Sequence, residues 1–239
     1  MKLSKRIYAL AAQIDQGESV SDIGTDHGYV PMLLMREGKS PRVIMSDISE
    51  GSLARAIRTF SLCGIDVDPA DFRVGDGLET IEAGETDAVI IGGLGGHTIA
   101  GILDADTDKS RSFKKLVLQP RKHSGTLRHY LYTHGWDTAR EVLAPEGKFE
   151  CEIIVAVPSE ETDYREAPYP EDDIRWKYPE ALMKSDPAAA AKRISWKTGS
   201  IREQIENMKT SSSDRSETIE KMQRDLQYLE RLLAIEKEK

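Results

Sequence analysis

Acidic residues and glycines follow four successive apolar runs of the chain. Asp22 leads into the segment Gly24–Gly28, Asp47 ends the second run, Gly75–Gly77 encloses a third acid, and Gly92–Gly96 holds four glycines in five residues. A carboxylate after a strand can accept hydrogen bonds from ribose hydroxyls or from an exocyclic amine. Glycine-rich backbone lets a flat substrate approach closely. Together these four segments predict a binding site for a nucleoside-like ligand.

The segment after the first run argues against a dinucleotide. A dinucleotide-binding loop has the spacing G-x-G-x-x-G, which lets bare backbone approach the pyrophosphate. Asp26 stands at the position of the second glycine, and a carboxylate repels a diphosphate in a partly desolvated site. NAD and FAD are therefore disfavoured. S-adenosylmethionine (SAM) has no phosphate and carries an ammonium and a sulfonium, so the acidic loop favours SAM as the cofactor.

The elements that must position these residues alternate between strand and helix from residue 19 to residue 157. The predicted strands are Ser19–Ile23, Arg42–Ser46, Phe72–Val74, Ala88–Ile91, Lys115–Leu118, Glu141–Leu143 and Glu152–Val157. The predicted helices are residues 3–14, Tyr29–Glu37, Ser52–Cys63, His97–Leu103 and Thr126–Thr133. This alternation predicts an α/β fold with a parallel sheet covered on both faces. Only a turn at Pro145–Gly147 separates the last two strands, so we expect them to pair antiparallel.

The composition changes after residue 158. Residues 159–186 are acidic and proline-rich, which predicts a linker between a sheet domain at residues 1–158 and a helical domain at residues 187–239. Asp186 precedes Pro187, an arrangement of N-cap and first helical position that begins a helix. We expect that helix to continue to about residue 209.

A second helix follows a short polar break at residues 210–213. Asp214 and Glu217 have the spacing of a capping box. Apolar residues then recur at the alternating spacing of a heptad seam, at Ile219, Met222, Leu226, Leu229 and Leu233. The first of the two helices has its own apolar face at Ile194, Ile201, Ile205 and Met208. The pattern predicts an antiparallel helical hairpin of coiled-coil type.

Composition excludes several classes of protein. The chain of 239 residues carries 33 basic and 41 acidic residues, a net charge of −8 that is atypical of proteins coating nucleic acid. Because acid-free clusters of basic residues are hidden in that average, the net charge does not settle the partner. Its two cysteines, Cys63 and Cys151, provide neither a disulfide framework nor a zinc module. We find no apolar run of membrane-spanning length and no signal peptide. We therefore expect a cytoplasmic protein without a metal.

Five segments carry a resemblance to a known family. They are Leu3–Arg6, Asp22–Pro31, Gly75–Gly77, Gly92–Gly96 and Leu118–Pro120. Together they resemble the bacterial tRNA (adenine-N1)-methyltransferases that modify adenine 22 of the D-arm, over roughly the whole chain. The resemblance implies a Rossmann-like class I SAM-dependent methyltransferase fold, mostly parallel with one antiparallel strand, followed by the helical hairpin. It also implies SAM as cofactor and tRNA as substrate.

The expected cofactor-binding residues lie at the strand ends and are Asp22, Gly24, Asp47, Ile48, Asp76, Gly77, Gly92 and Gly93. The resemblance implies that Asp26, His27 and Tyr29 border the methyl-transfer site. N1 of adenine has a lone pair, so transfer needs alignment and stabilisation of the arriving positive charge rather than a base. We assign that electrostatic role to Asp26 and stacking or gating to Tyr29. For His27, a catalytic role and that of an ordinary loop histidine both stay open.

Acid-free clusters are the candidates for contact with RNA phosphates. They are Lys5, Arg6, Arg121, Lys122, Lys192, Arg193 and Lys197. Two other functions remain open: a methyltransferase acting on a small molecule or a protein, and a non-catalytic protein that uses the helical hairpin to bind a partner. We expect a monomer, with the hairpin as the surface through which a weak dimer would form.

Overall fold

The computed structural model describes residues 3–147, 149–161, 163–209 and 215–237. These residues contain a seven-stranded sheet in the order β3-β2-β1-β4-β5-β7-β6. The strands are β1 (Val20–Ile23), β2 (Val43–Asp47), β3 (Phe72–Val74), β4 (Ala88–Leu94), β5 (Lys115–Pro120), β6 (Trp136–Glu146) and β7 (Phe149–Pro158). All residues of β1, β2 and β5 are buried, because helices cover both faces of the sheet.

The pairing of the strands confirms the predicted sheet. The first five strands pair in parallel, with β1 between β2 and β4. β7 pairs antiparallel with both β5 and β6. β6 is longer than predicted, because it pairs with β7 from Trp136 to Glu146 and not only over Glu141–Leu143. The strand order reverses between β1 and β4, and ligands of such sheets bind at that point, beyond the carboxyl ends of the strands.

Helices pack on both faces of the sheet. The α-helices of the described residues are α1 (Lys5–Ala11), α2 (Tyr29–Arg36), α3 (Glu50–Cys63), α4 (Gly96–Asp104), α5 (Thr107–Arg111), α6 (Ser124–Thr133), α7 (Ile174–Lys177), α8 (Glu180–Ser185), α9 (Pro187–Lys209) and α10 (Ser216–Lys237). On one face, α1, α2 and α3 pack against the sheet and bury Leu10, Leu33 and Phe60. The other buries α4 and α6 through Ile99 and Leu131. No helix within the described ranges combines the length and hydrophobicity needed to span a membrane.

The segment predicted as a linker is fastened to the sheet domain. The Arg165 N–H donates to the carbonyl of Thr133 at 3.0 Å, and its guanidinium lies 2.7 Å from Asp137. The second half of the segment forms α7 and α8, with Trp176 and Tyr178 buried. Composition did not reveal this, because a few aromatic anchors lie within an acidic, proline-rich stretch. The segment predicted as a linker thus contains two short helices and packs on its neighbours.

The two long C-terminal helices pack on each other through the predicted apolar positions. Ile194, Ile201, Ile205 and Leu229 are buried together, and the other seam residues of α10 lie against them. The predicted start of α9 is confirmed, since Asp186 accepts a hydrogen bond from the N–H of Ala189 at 3.0 Å. The capping box at Asp214 and the break at residues 210–213 lie outside the described residues.

A buried network of charges joins these helices to the sheet. Arg128 on α6 contacts Glu141 on β6 at 2.5 Å and Glu152 on β7 at 2.6 Å. It also donates to the carbonyl of Trp176 on α7 at 3.1 Å. Glu152 is in turn paired with Arg193 on α9. Burial disfavours the charged guanidinium, but the two glutamates outweigh it and raise the pKa of Arg128.

We expect Arg128→Met to lower the free energy of unfolding by about 3–5 kcal/mol, because it leaves the buried carboxylate of Glu141 without a counter-charge and Glu152 with Arg193 alone. Urea unfolding followed by circular dichroism measures this difference. Arg202→Ala is the matched control: it removes an ion pair of 2.5 Å with Glu230 that is exposed, and such pairs contribute less than about 1 kcal/mol. Equal losses in the two variants would contradict a special role for the buried network.

Candidate active site

The carboxyl ends of β1 to β4 open into one cavity of about 540 Å³. All eight residues predicted to bind the cofactor line it, together with the three predicted catalytic residues, Asp26, His27 and Tyr29. Arg6 and Arg121, which were predicted to contact RNA, line it as well. The volume is typical of a site for a small molecule or cofactor. The topology therefore brings residues from six separate segments of the sequence to one place.

Asp22 lies at the bottom of this cavity and is buried. Its carboxylate accepts a hydrogen bond from the Thr25 hydroxyl at 2.7 Å. Burial raises the pKa of Asp22 to about 7, against the lowering effects of the Thr25 hydrogen bond and of the charge of Arg6. The site thus contains a carboxylate that a cationic ligand group would stabilise in its charged form.

Asp47 connects two of the loops that surround the cavity. One carboxylate oxygen accepts the N–H of Asp26 at 3.1 Å, and the other accepts the N–H of Ser49 at 2.9 Å. Ser49 caps α3 through the N–H of Ser52 at 3.3 Å. The side chain of Asp47 therefore holds the loop after β1 at a fixed position relative to the first turn of α3. Ile48, 70% exposed, offers an apolar surface beside it.

Asp26 lies on the rim of the cavity in an unusual backbone conformation. Its φ of +49° places it in the left-handed region, as one of two non-glycine residues to do so in the part of the chain that is described. The carboxylate is held by the guanidinium of Arg55 on α3, with contacts of 2.5 and 3.1 Å. Arg55 also donates to Ser52 at 2.9 Å. Asp26 is therefore fixed from both its backbone and its side chain.

His27 and Tyr29 form the aromatic part of the same rim. Their rings are stacked, with centroids 5.1 Å apart and planes 7° from parallel. The Nε2 atom of His27 lies 3.8 Å from an oxygen of Asp26. The stacked pair thus stands directly beside the carboxylate, where a flat base entering the cavity would meet aromatic surface and negative charge together.

The glycine-rich end of β4 forms the opposite wall. Gly93 has a φ of +81°, which strongly favours glycine, and the pairing with β5 shifts register here. Its N–H donates to Gln119 Oε1 at 3.1 Å, and the same oxygen accepts from Arg6 at 3.2 Å. Gln119 therefore connects the end of β4 to α1. Because residues 92 and 93 are glycines, their backbone lines the cavity without side chains.

The residues predicted to contact RNA are spread over several surfaces. Arg6 pairs with Glu146 at 2.7 Å, and Arg193 pairs with the buried Glu152. The other members are more open to solvent: Lys5, Arg121, Lys122 and Lys192 are exposed and Lys197 is half-buried. Two of the predicted RNA contacts thus already have carboxylate partners.

In the described ranges, no group of three or more His, Cys, Asp or Glu is placed to hold a metal ion.

Comparison with known proteins gives the family. A family model described as "Methyltransferase domain" matches residues 3–154, more than half of the chain. The chain belongs to this methyltransferase-domain family. It is 37% identical over 156 residues to the tRNA (adenine(22)-N(1))-methyltransferase of Bacillus subtilis strain 168, an alignment that covers 65% of this chain and 65% of that protein. The chain thus spans less than two thirds of the length of that relative.

Solved structures extend the similarity to the C-terminal helices. The crystal structure of the B. subtilis m1A22 tRNA methyltransferase TrmK is 28% identical and covers 99% of this chain and 98% of that chain, with a TM-score of 0.70. The Mycoplasma capricolum TrmK structure, in complex with S-adenosyl-homocysteine, is 18% identical, covers 98% and 99%, and has a TM-score of 0.77. These matches confirm the resemblance read from the motifs and the fold class.

Three residues were not predicted as part of the site: Thr25, which lines the cavity, and Arg55 and Gln119, which hold residues that line it. Thr25 lies three residues after Asp22, a spacing at which a hydroxyl commonly bonds an aspartate in a turn, so a local signal was present. Arg55 is 29 residues from Asp26 and Gln119 is 26 residues from Gly93. Only the packing of α3 and β5 beside these loops brings them close, and the sequence carries no local sign of it.

The raised pKa of Asp22 predicts a pH-dependent stability of the ligand-free protein. Because the folded state binds this proton more tightly than the unfolded chain, the contribution of Asp22 to stability is fully present below about pH 4 and is lost as the pH rises through about 7. We expect Asp22→Asn to have a Tm several degrees above that of the wild type at pH 8, and a difference that shrinks toward pH 4.

Calorimetric or fluorescence melting curves between pH 4 and pH 8 measure this difference. Asp76→Asn, at an exposed position of the same cavity, is the matched control and should not reproduce the pH course. A Tm of Asp22→Asn at or below the wild-type value at pH 8 would show that the buried carboxyl carries no penalty.

Proposed function

We propose that this chain is a SAM-dependent methyltransferase that transfers a methyl group to N1 of an adenine in the D-arm of tRNA, at position 22. The observation that carries the proposal is the cavity where Asp22, Asp47 and Asp76 meet at three successive strand ends. The 37% identity to the B. subtilis tRNA (adenine(22)-N(1))-methyltransferase supports tRNA as the substrate. The resemblance of the loop at Asp22–Pro31 supports both SAM as the cofactor and tRNA as the substrate.

The residues that line the cavity fit SAM chemically. Four carboxylates line it, those of Asp22, Asp26, Asp47 and Asp76. They repel a diphosphate but suit a ligand with an ammonium, two ribose hydroxyls and an adenine amine. Ile48 and Ile102 add apolar surface for a base. In this proposal Asp22 lies toward the cationic end of the cofactor, Asp47 accepts from the ribose and Asp76 from the adenine amine. When bound, SAM supplies an electrophilic methyl group on its sulfonium.

The rim residues would orient the adenine that is methylated. N1 attacks with its own lone pair, and the positive charge that leaves the sulfonium arrives on the base. The Asp26 carboxylate stabilises that charge, with its orientation set by Arg55 and Asp47. The Gly92–Gly93 carbonyls can accept the N6 protons, and the stacked pair of His27 and Tyr29 packs against the ring. Correct alignment supplies much of the rate enhancement of such a transfer.

The basic residues proposed to contact tRNA are spread over several surfaces of the protein. The lysines at positions 5, 122 and 192 and Arg121 are exposed and can meet phosphates. Methylation at rising salt concentration measures how many such contacts form. Because Arg6 and Arg193 have carboxylate partners, we assign them a positioning role as well. A tRNA substrate places the reaction in the cytoplasm, and we propose a monomer as the active form.

The proposal is tested with purified protein, methyl-labelled SAM and an unmodified tRNA transcript. We expect one methyl group per tRNA, found as 1-methyladenosine after digestion, and no transfer to a transcript in which adenine 22 is guanine. Transfer to another nucleotide would change the assigned position. SAM binding without transfer to RNA would favour a small-molecule or protein substrate, and absence of SAM binding would favour a non-catalytic protein that binds a partner through its helices.

We expect Asp26→Asn to lower the single-turnover rate about 100-fold, because the amide keeps the shape of the side chain and loses its charge. The Kd for SAM should stay within about twofold of the wild-type value. Arg55→Ala should lower the rate about tenfold because the carboxylate loses its orientation, and Arg55→Lys should restore part of it. Arg58→Ala, an exposed change one turn further along α3, is the matched control.

The double variant Asp26→Asn/Arg55→Ala tests whether Arg55 acts on the rate through Asp26. If Arg55 acts through Asp26, its removal has little further effect once the charge of Asp26 is gone. Additive losses in the double variant, or a full rate in Asp26→Asn, would refute the assigned roles.

A further inference from the structure

A second depression lies beside the cofactor cavity, between the end of β5, the β6–β7 hairpin and the first turns of α9. We call it the Trp196 groove; its volume is about 750 Å³. It is lined by Gln119, Pro120, Arg121, Glu146, Glu150, Cys151, Glu152, Lys192, Arg193 and Trp196. Trp196 is 74% exposed, whereas Trp136 and Trp176 are 3% and 9% exposed. An indole left this open in a groove is available for a ligand.

The groove adjoins the proposed active site. Arg121 lines both the groove and the cofactor cavity. Arg6 lines the cavity and Glu146 lines the groove, and their ion pair of 2.7 Å forms part of the wall between the two. A chain that places one unit in the cavity can therefore pass Arg121 and place a neighbouring unit in the groove.

Two cations of the groove are open to solvent, whereas two of its three glutamates are paired with arginines. Glu152 is buried between Arg128 and Arg193, and Glu146 is paired with Arg6. Arg121 and Lys192 are exposed, and among the residues described neither side chain has a hydrogen bond or ion pair.

The position of Trp196 is fixed by the packing of α9. Arg193, three residues earlier, is held by Glu152, and Ile194 is buried in the C-terminal core. Lys192 and Trp196 are four residues apart and lie on the same side of the helix. The indole and the ammonium therefore face the groove together, and the backbone that carries them is docked on the sheet domain.

We propose that the Trp196 groove binds a second unpaired nucleobase, from a nucleotide that flanks the methylated adenine. The base stacks on the indole of Trp196, and the adjoining phosphates contact Lys192 and Arg121. An exposed aromatic ring between cations is the arrangement with which proteins hold single-stranded nucleic acid, and removal of the adenine from its helix unstacks its neighbours. This inference rests on the proposed tRNA substrate and extends it by a subsite.

Stacking on an aromatic side chain contributes enough to be measured as a change in affinity. We expect Trp196→Ala to raise the KM for tRNA about 5- to 100-fold, with kcat and the Kd for SAM within about twofold of the wild type. Trp196→Phe should recover part of the loss, because a phenyl ring still stacks. Leu62→Ala, which truncates an equally exposed apolar residue on α3 (78% exposed) away from the groove, is the matched control.

Intrinsic fluorescence gives a readout that does not depend on methyl transfer. Trp196 is the exposed tryptophan of the three in the chain, so a base stacked on it should quench the emission that acrylamide also quenches. We expect quenching by tRNA and by a short single-stranded RNA, weaker quenching by an RNA duplex, and none of it in Trp196→Phe.

The outcomes separate the subsite from the proposed function. If the wild type methylates tRNA and Trp196→Ala does so with the same KM, the subsite is wrong and the function stands. Quenching without methyl transfer would support a nucleobase subsite and contradict the methyltransferase. If sedimentation shows that Trp196→Ala converts a dimer into a monomer while tRNA binding is unchanged, the groove is an interface between two copies, and our assignment is overturned.

Discussion

The buried guanidinium of Arg128 is the point on which the arrangement of the C-terminal helices depends. A charge taken out of water is tolerated only where counter-charges and hydrogen bonds surround it. Here those partners come from β6, β7 and α7, and Glu152 passes the interaction on to Arg193 of α9. Any shift of α9 would leave one of these groups unpaired, so the helix is held in one register relative to the sheet.

That constraint has a consequence for the active site. Trp196 lies one helical turn beyond Arg193, and the groove in front of it adjoins the cofactor cavity. The long helices do not simply extend into solvent as an arm. The first turns of α9 form one wall of the Trp196 groove. The charge network that stabilises the fold therefore also sets the distance between the two proposed base-binding positions.

The loops of the cavity are constrained in a similar way. Asp47 holds the backbone of Asp26 and the first turn of α3, and Arg55 of α3 holds the side chain of Asp26. The loops after β1 and β2 and the start of α3 are therefore one connected unit. Asp22 differs, because its burial disfavours the charged form until a cationic ligand is present. Ionisation of Asp22 therefore lowers the stability of the ligand-free protein.

The sequence by itself determined the sheet and most of the residues that meet in the cavity. Apolar runs and helical periods are local patterns, and parallel strands always bring their carboxyl ends to one edge, so Asp22, Asp47 and Asp76 were predictable as a group. Tertiary structure alone decided the partners of those residues. Arg55 meets Asp26, and Arg193 meets Glu152, across 29 and 41 positions of sequence. The packed segment at residues 163–186 was hidden for the same reason, because contacts between distant residues depend on how elements pack and leave no periodic trace in the chain.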